Sequence, residues 1–146
     1  MINNKLKKTN TKFSNYLKKF KIHKNHFPRF NEECGVFGIS GSEDAAALTA
    51  LGLHALQHRG QEGCGIVSYD GNSYHSERKF GLVGDNFTNK KSLEKLTGTI
   101  AIGHNRYSTT GGETIRNIQP FYADLYGGAI SIAHNGNLTN ALLLRE

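Results

Sequence analysis

An α+β fold with antiparallel strands is the architecture the sequence predicts, and three observations carry that reading. A β-rich run closed by glycine leads directly into a stretch of helical spacing. Two further β-rich runs meet at Asp70-Gly71, a hairpin signal. Two later runs of buried-type apolar residues are separated by a long, polar, glycine-rich loop. Helices covering antiparallel strands fit this order better than βαβ winding.

The first strand is predicted over Cys34–Ser40, Cys34-Gly-Val-Phe-Gly-Ile-Ser, ending at Gly41. Ser42 then stands as an N-cap, with Glu43 and Asp44 complementing the positive end of a helix. Leu48, Leu51 and Ala55 recur at helical spacing, and the helix is expected to run to about His58, with Gly60 as its stop. Strands follow at Cys64–Tyr69, Ser73–Phe80, Thr99–His104 and Ala129–His134, and a last helix starts near Leu138 and is cut at Glu146.

Charge divides the chain at Cys34. Residues 1–33 hold nine Lys or Arg against Glu32 and Glu33, a net +7, so the +6 of the whole 146-residue chain resides there and the remainder is close to neutral. This segment is Lys- and Asn-rich, free of glycine, and interrupted by Pro28. It lacks the apolar centre of a secretory signal and the arginine bias of a transit peptide, and reads as a separate leader. Phe13, Leu17 and Phe20 could line one face of a weak surface-binding helix, or the segment could be a solvated tail. No apolar run approaches the roughly 20 residues that cross a bilayer. Neither a nucleic-acid nor a membrane partner is expected. Two cysteines, Cys34 and Cys64, without C-x-x-C spacing, suit a reducing compartment such as the cytoplasm.

Cys34 sits where the leader meets the first strand. Cleavage after Glu33 would place its thiol and a free α-amino group on one residue. With an ordinary pKa of roughly 7.7–8.0, that amine is partly neutral near pH 7 and can serve as the general base. A buried structural cysteine at a strand start is the other reading of position alone.

Four segments in order, Cys34-Gly-Val-Phe-Gly-Ile39, Leu56-Gln-His-Arg-Gly-Gln-Glu-Gly-Cys-Gly-Ile66, Gly103-His-Asn-Arg-Tyr-Ser-Thr-Thr-Gly111 and His134-Asn-Gly-Asn-Leu-Thr-Asn140, resemble the class II glutamine amidotransferases. The likeness spans essentially all of 34–146. His58-Arg-Gly-Gln-Glu62, Gly81-Leu-Val83 and Ile118-Gln-Pro-Phe121 resemble the branch that delivers ammonia to phosphoribosyl pyrophosphate. Hexosamine-phosphate synthases, the nearest alternative, usually read Tyr-Arg-Gly-Tyr-Asp and Arg-Trp-Ala-Thr-His at the second and third motifs.

The resemblance implies a four-layer αββα sandwich of N-terminal-nucleophile hydrolase type, incomplete in this chain. It implies that Cys34 attacks the glutamine carboxamide and that the Asn135 amide with the Gly136 N–H holds the oxyanion, although Asn-Gly alone also reads as a turn. Arg106 would hold the substrate α-carboxylate and Thr109 would support the same head group. His104 reads as structural, Cys64 as a small buried residue, and His58, Arg59 and Gln61 as support of the site. No cofactor is implied for this segment. Mg²⁺ and, in some members, a 4Fe–4S cluster are implied for a full-length enzyme, which would be a homo-oligomer using glutamine and phosphoribosyl pyrophosphate. The family's aspartate for the glutamine α-amino group and its phosphoribosyltransferase half are expected beyond Glu146. An inactive fragment with exposed strand edges and apolar faces is the accompanying expectation.

Overall fold

A computed structural model describes residues 33–88, 90–107, 114–136, 138, 140 and 142–145. All belong to one compact unit, Glu32–Glu146. The leader, its proposed Phe13–Phe20 face, and Thr109 lie outside the described residues.

The elements run β1 (Gly35–Ser40), α1 (Ala45–Ala55), β2 (Gly63–Tyr69), β3 (Tyr74–Phe80), α2 (Val83–Phe87), α3 (Lys90–Glu94), β4 (Ile100–Arg106), β5 (Phe121–Leu125) and β6 (Gly128–Ile132). Short 3₁₀ turns occupy Gln57–Arg59, Ile115–Asn117 and Leu143–Arg145. Four strands form one sheet in the order β1-β4-β2-β3, and β5 and β6 form a two-stranded ribbon. Every pairing is antiparallel, as expected.

Alternation along β4 gives the sheet two differently used faces. On one face Gly103 lies against Leu53 and Thr49 of α1, and Asn105 donates from Nδ2 to the Leu53 carbonyl at 2.7 Å. This face carries the core: Ala45, Ala46, Ala50 and Leu53 of α1 against Cys64 and Ile66 of β2 and Ala101 of β4. The residues between, His104 and Arg106, therefore point to the opposite face. There the segment entering β5 crosses β2. A Cβ on Gly65 would stand 2.3 Å from the Gln119 carbonyl oxygen, and one on Gly63 would stand 2.6 Å from Ile118. Buried on both faces, β2 has no polar side, which is why its sequence reads as a continuous apolar and glycine run.

The β2–β3 hairpin forms where the Asp70-Gly71 signal stood. The Asp70 carboxylate accepts the N–H groups of Asn72 and Ser73 at 2.9 and 2.8 Å, an Asx turn that closes the loop. β3 is an edge strand, and its charges blunt that edge, with Glu77 pairing Lys95 at 3.0 Å.

Several expectations are corrected. The first helix begins at Ala45, because Ser42 caps the Asp44 N–H of a preceding turn at 3.2 Å instead of the helix itself. It ends at Ala55 and passes into the Gln57–Arg59 turn. Its buried side is the small-residue stripe Ala46, Thr49, Ala50 and Leu53, while Leu48 and Leu51 are exposed. Small side chains bring the helix close to the sheet, which outweighs the larger area of the leucines. Gly60 is extended rather than left-handed, and its missing Cβ admits the Arg106 backbone, 2.7 Å from where that atom would be.

The long loop contains β5, unforeseen because all five of its residues are exposed and no alternation marks them. Among the described residues the helix expected from Leu138 is a turn with a 3₁₀ segment at Leu143–Arg145. Leu142, Leu143 and Leu144 remain 65–80% exposed, so no burial offsets the cost of nucleating a short helix. Exposed apolar side chains on the ribbon, Leu125, Ile130 and Ile132 among them, match the expectation of uncovered faces.

Leu53 is fully buried between α1 and the sheet. Leu53→Ala is expected to lower unfolding free energy by about 2–5 kcal/mol, measured by urea denaturation, since a cavity at that contact cannot collapse against a sheet.

Candidate active site

The β1–β4 register builds the site. Gly35 pairs with Asn105 and Val36 with His104, so the residue before β1, Cys34, lies opposite Arg106 and beside Tyr107. The Tyr107 N–H donates to Cys34 Sγ at 3.3 Å, and the thiol reaches the Tyr107 carbonyl at 3.5 Å.

Two other segments converge on the same residue. From the turn after α1, the Arg59 carbonyl accepts the Cys34 N–H at 2.7 Å, and Arg59 Nε donates to the Cys34 carbonyl at 2.7 Å. Beyond β6, the Asn135 side-chain amide donates to that same carbonyl at 3.3 Å. Cys34 itself has φ +60°, the left-handed region that a non-glycine residue seldom occupies.

These elements enclose a cleft of about 490 Å³ whose walls include Cys34, His104, Arg106, Tyr107, His134 and Gly136. Gln119 organises its far side, accepting the His134 N–H through Oε1 at 2.7 Å. Gly136 has φ +142°, a conformation open to glycine and strained for other residues. The Asn135-Gly136 pair therefore bends the chain where Gly136 lines the cleft.

Arg106 is 7% exposed and its backbone carbonyl accepts the Glu62 N–H at 3.2 Å. His104 is 1% exposed, and among the described residues neither ring nitrogen has a partner in close hydrogen-bond geometry, the His134 backbone being a weaker contact. Burial, reinforced by the nearby His134 and Arg106 charges and partly opposed by the His134 backbone, pushes its pKa from 6.5 down to about 4. It is neutral near pH 7. Cys64 is fully buried on the helix face of the sheet, its thiol pushed up to about 11 by burial. The two cysteines thus differ in burial, Cys34 partly exposed at the cleft and Cys64 enclosed in the core. Among the described residues no group of three or more His, Cys, Asp or Glu side chains could hold a metal ion.

Of the five residues singled out by sequence, Cys34, Arg106, Asn135 and Gly136 come together, and Thr109 lies outside the described residues. Tyr107 and Gln119 were not foreseen. Tyr107 acts through its backbone, which has no side-chain signature, and Gln119 was quoted only within the Ile118-Gln-Pro-Phe121 motif, with no role in the site assigned to it.

Known proteins resemble this chain over about three quarters or more of its length. No protein-family model matches it. The amidophosphoribosyltransferase of Rhizobium etli is 65% identical over 116 residues, covering 80% of this chain and 23% of the relative. That of Lacticaseibacillus casei is 52% identical over 122 residues, covering 83% of this chain and 63% of the relative. The chain is a homologue of the amidophosphoribosyltransferases.

Among solved structures, the glutamine phosphoribosylpyrophosphate amidotransferase of B. subtilis, complexed with ADP and GMP, superposes with a TM-score of 0.66 at 46% identity. That match covers 75% of this chain and 23% of that one. A structure described as the allosteric regulatory enzyme of purine biosynthesis gives 0.69 at 48% identity, covering 75% and 24%. The antiparallel α+β body matches the glutamine amidotransferase domain of these amidophosphoribosyltransferases. The chain spans about a quarter of the length of the Rhizobium relative and under two thirds of the Lacticaseibacillus one.

Two outcomes check the site. Iodoacetamide at neutral pH is expected to label Cys34 and spare Cys64 in the native protein, read by peptide mass mapping. Because the unfolded chain binds a proton at His104 near pH 6.5 and the folded chain only near pH 4, stability is full above 6.5 and falls as pH drops through that window. The loss is about 3 kcal/mol. Urea midpoints across pH 4–7 should fall less steeply in His104→Gln.

Proposed function

We propose that this chain is the glutaminase part of an amidophosphoribosyltransferase, hydrolysing glutamine and passing ammonia to phosphoribosyl pyrophosphate to form 5-phosphoribosylamine in de novo purine synthesis. The observation that carries this is the convergence on Cys34. A thiol at the head of β1 receives a backbone N–H from Tyr107 and stands in one cleft with Arg106 and Gly136. The names of its relatives favour this reading over a hexosamine-phosphate synthase. In this reading residues 1–33 are a propeptide, residues 34–146 the front of the glutaminase domain, and the glycosyl-transfer half a further domain.

The chemistry follows from the groups present. Cleavage after Glu33 frees the Cys34 α-amine, which takes the thiol proton. Sγ then attacks the side-chain carboxamide carbon of glutamine, a C–S bond forms, and the carbonyl electron pair moves onto oxygen. Asn135 carries two amide hydrogens, so one can hold the Cys34 carbonyl while the other meets the oxyanion with the Gly136 N–H. Each such donor is typically worth about 10²–10³ in rate.

Collapse breaks the C–N bond, the amine returns its proton to the leaving nitrogen, and ammonia departs. Water hydrolyses the γ-glutamyl thioester and restores the thiol. Arg106 offers the glutamine α-carboxylate a planar two-point fork, which lysine cannot reproduce, and Thr109 supports the same head group.

Mg²⁺ and a 4Fe–4S cluster belong to this reading only for a full-length, homo-oligomeric enzyme, and no step here runs through either. Among the described residues no helix is long and apolar enough to cross a membrane. A cytoplasmic site of action rests on the free thiols and the leader's composition.

Two measurements test the proposal on the full-length protein that contains this chain. N-terminal sequencing should find a mature chain that begins at Cys34; an active enzyme retaining residues 1–33 sinks the amine base. Cys34→Ala should lose glutamine-dependent synthesis by at least about 10³-fold while keeping synthesis from added ammonia, since only the nucleophilic step is removed.

A further inference from the structure

Arg59 holds both main-chain polar groups of Cys34. Its carbonyl takes the Cys34 N–H and its Nε–H meets the Cys34 carbonyl, each at 2.7 Å. Such a two-point grip fixes the peptide planes on both sides of the Cys34 Cα, and hence its φ of +60°.

Arg59 is itself held on a rigid mount. Its N–H bonds the Leu56 carbonyl at 3.0 Å, and Gln57 spans the turn, donating to the Gly60 carbonyl at 2.5 Å while accepting the Val83 N–H at 2.7 Å. Gly60 is pressed against the Arg106 backbone, so the turn carrying Arg59 and the strand end carrying Arg106 are fastened together. This gives a physical form to the support expected of Arg59, with Gln57 and Gly60 fixing the turn that carries it.

We propose that Arg59 is the positioning residue of the glutaminase reaction. It sets the direction of the Cys34 thiol and amine, and its guanidinium lowers the proton affinity of that amine. The inference rests on the glutaminase reading above. Once the bond to Glu33 is cut, the former amide nitrogen becomes the general base, and the Arg59 carbonyl accepts one of its hydrogens. This leaves the lone pair directed by the Cα position that the clamp defines. The guanidinium, bound to the carbonyl of the same residue, opposes a second positive charge on the amine and keeps more of it neutral. Arg106 and His104 of β4, Tyr107 directly after it and His134 after β6 also stand around Cys34, and none of them is altered in the test.

The test uses the full-length protein expressed with Met directly before Cys34, so that removal of Met exposes the amine without propeptide cleavage. Arg59→Met should lower kcat with glutamine by about 10- to 100-fold, the range that a misplaced reacting group gives. KM for glutamine should stay within about threefold, because the carboxylate is held by Arg106. The acid limb of kcat/KM should move up by about half to one pH unit, since a neutral amine becomes harder to obtain when the neighbouring cation is lost.

Arg59→Lys, which keeps the charge but not the planar Nε–H, should return the acid limb towards its wild-type position while kcat stays low. Ammonia-dependent synthesis should be unchanged in both variants. If Arg59→Met loses ammonia-dependent synthesis through misfolding, Arg59→Lys decides by its kcat. Wild-type kcat in either folded variant, or an acid limb that does not move in Arg59→Met, overturns the clamp. A wild-type enzyme that begins at Cys34 yet turns over no glutamine overturns the glutaminase reading and the clamp with it, and is recognised before any Arg59 variant is made.

Discussion

The antiparallel pairing of β1 with β4 is the constraint on which the site depends. Gly35 opposite Asn105 puts Cys34 level with Arg106 and its sulfur on the Tyr107 N–H. A slip of one residue would turn His104 and Arg106 towards α1 and bring Asn105 to the cleft. Burial opposes such a slip. Gly103 admits Leu53 and Thr49 where a side chain would collide, and Asn105 is bonded to the α1 backbone. The core face therefore fixes the register, and the register fixes the chemistry on the other face.

Close backbone approach is the second recurring device. Gly60 lies against Arg106, Gly63 against Ile118, and Gly65 against the Gln119 carbonyl. Each contact brings a loop onto the four-stranded sheet without an intervening side-chain layer. His104, buried and neutral below that cleft, adds a dependence of folding on pH without adding a charge near pH 7. The thiol of Cys64, on the core face, is kept out of any such chemistry by the same sheet that presents Cys34.

Much of the architecture was legible in the chain. The Asp70-Gly71 hairpin, β1, β2, β3 and the first helix follow from turn chemistry and periodicity, with boundaries displaced by a few residues. The helix face was misjudged because large apolar residues attract notice, whereas α1 packs through Ala46, Thr49 and Ala50. β5 left no trace because a strand exposed along its whole length has no alternation to read. The segment after Leu138 read as a helix through its leucines, which find nothing to pack against among the described residues.

The sequence by itself determined the chemical inventory: a cysteine at a charge boundary, an arginine within the Gly103–Gly111 motif, and an Asn-Gly pair. Each is a property of residue type and order, which are local. Only the tertiary structure decided that Arg106 and Gly136 share a cleft with Cys34, that Tyr107 serves through its backbone, and that Arg59 grips the main chain of the nucleophile. Those relations join residues far apart in the chain, 25 positions for Arg59 and 73 for Tyr107, and each ends on a backbone group that every residue carries, so no side-chain pattern can encode them.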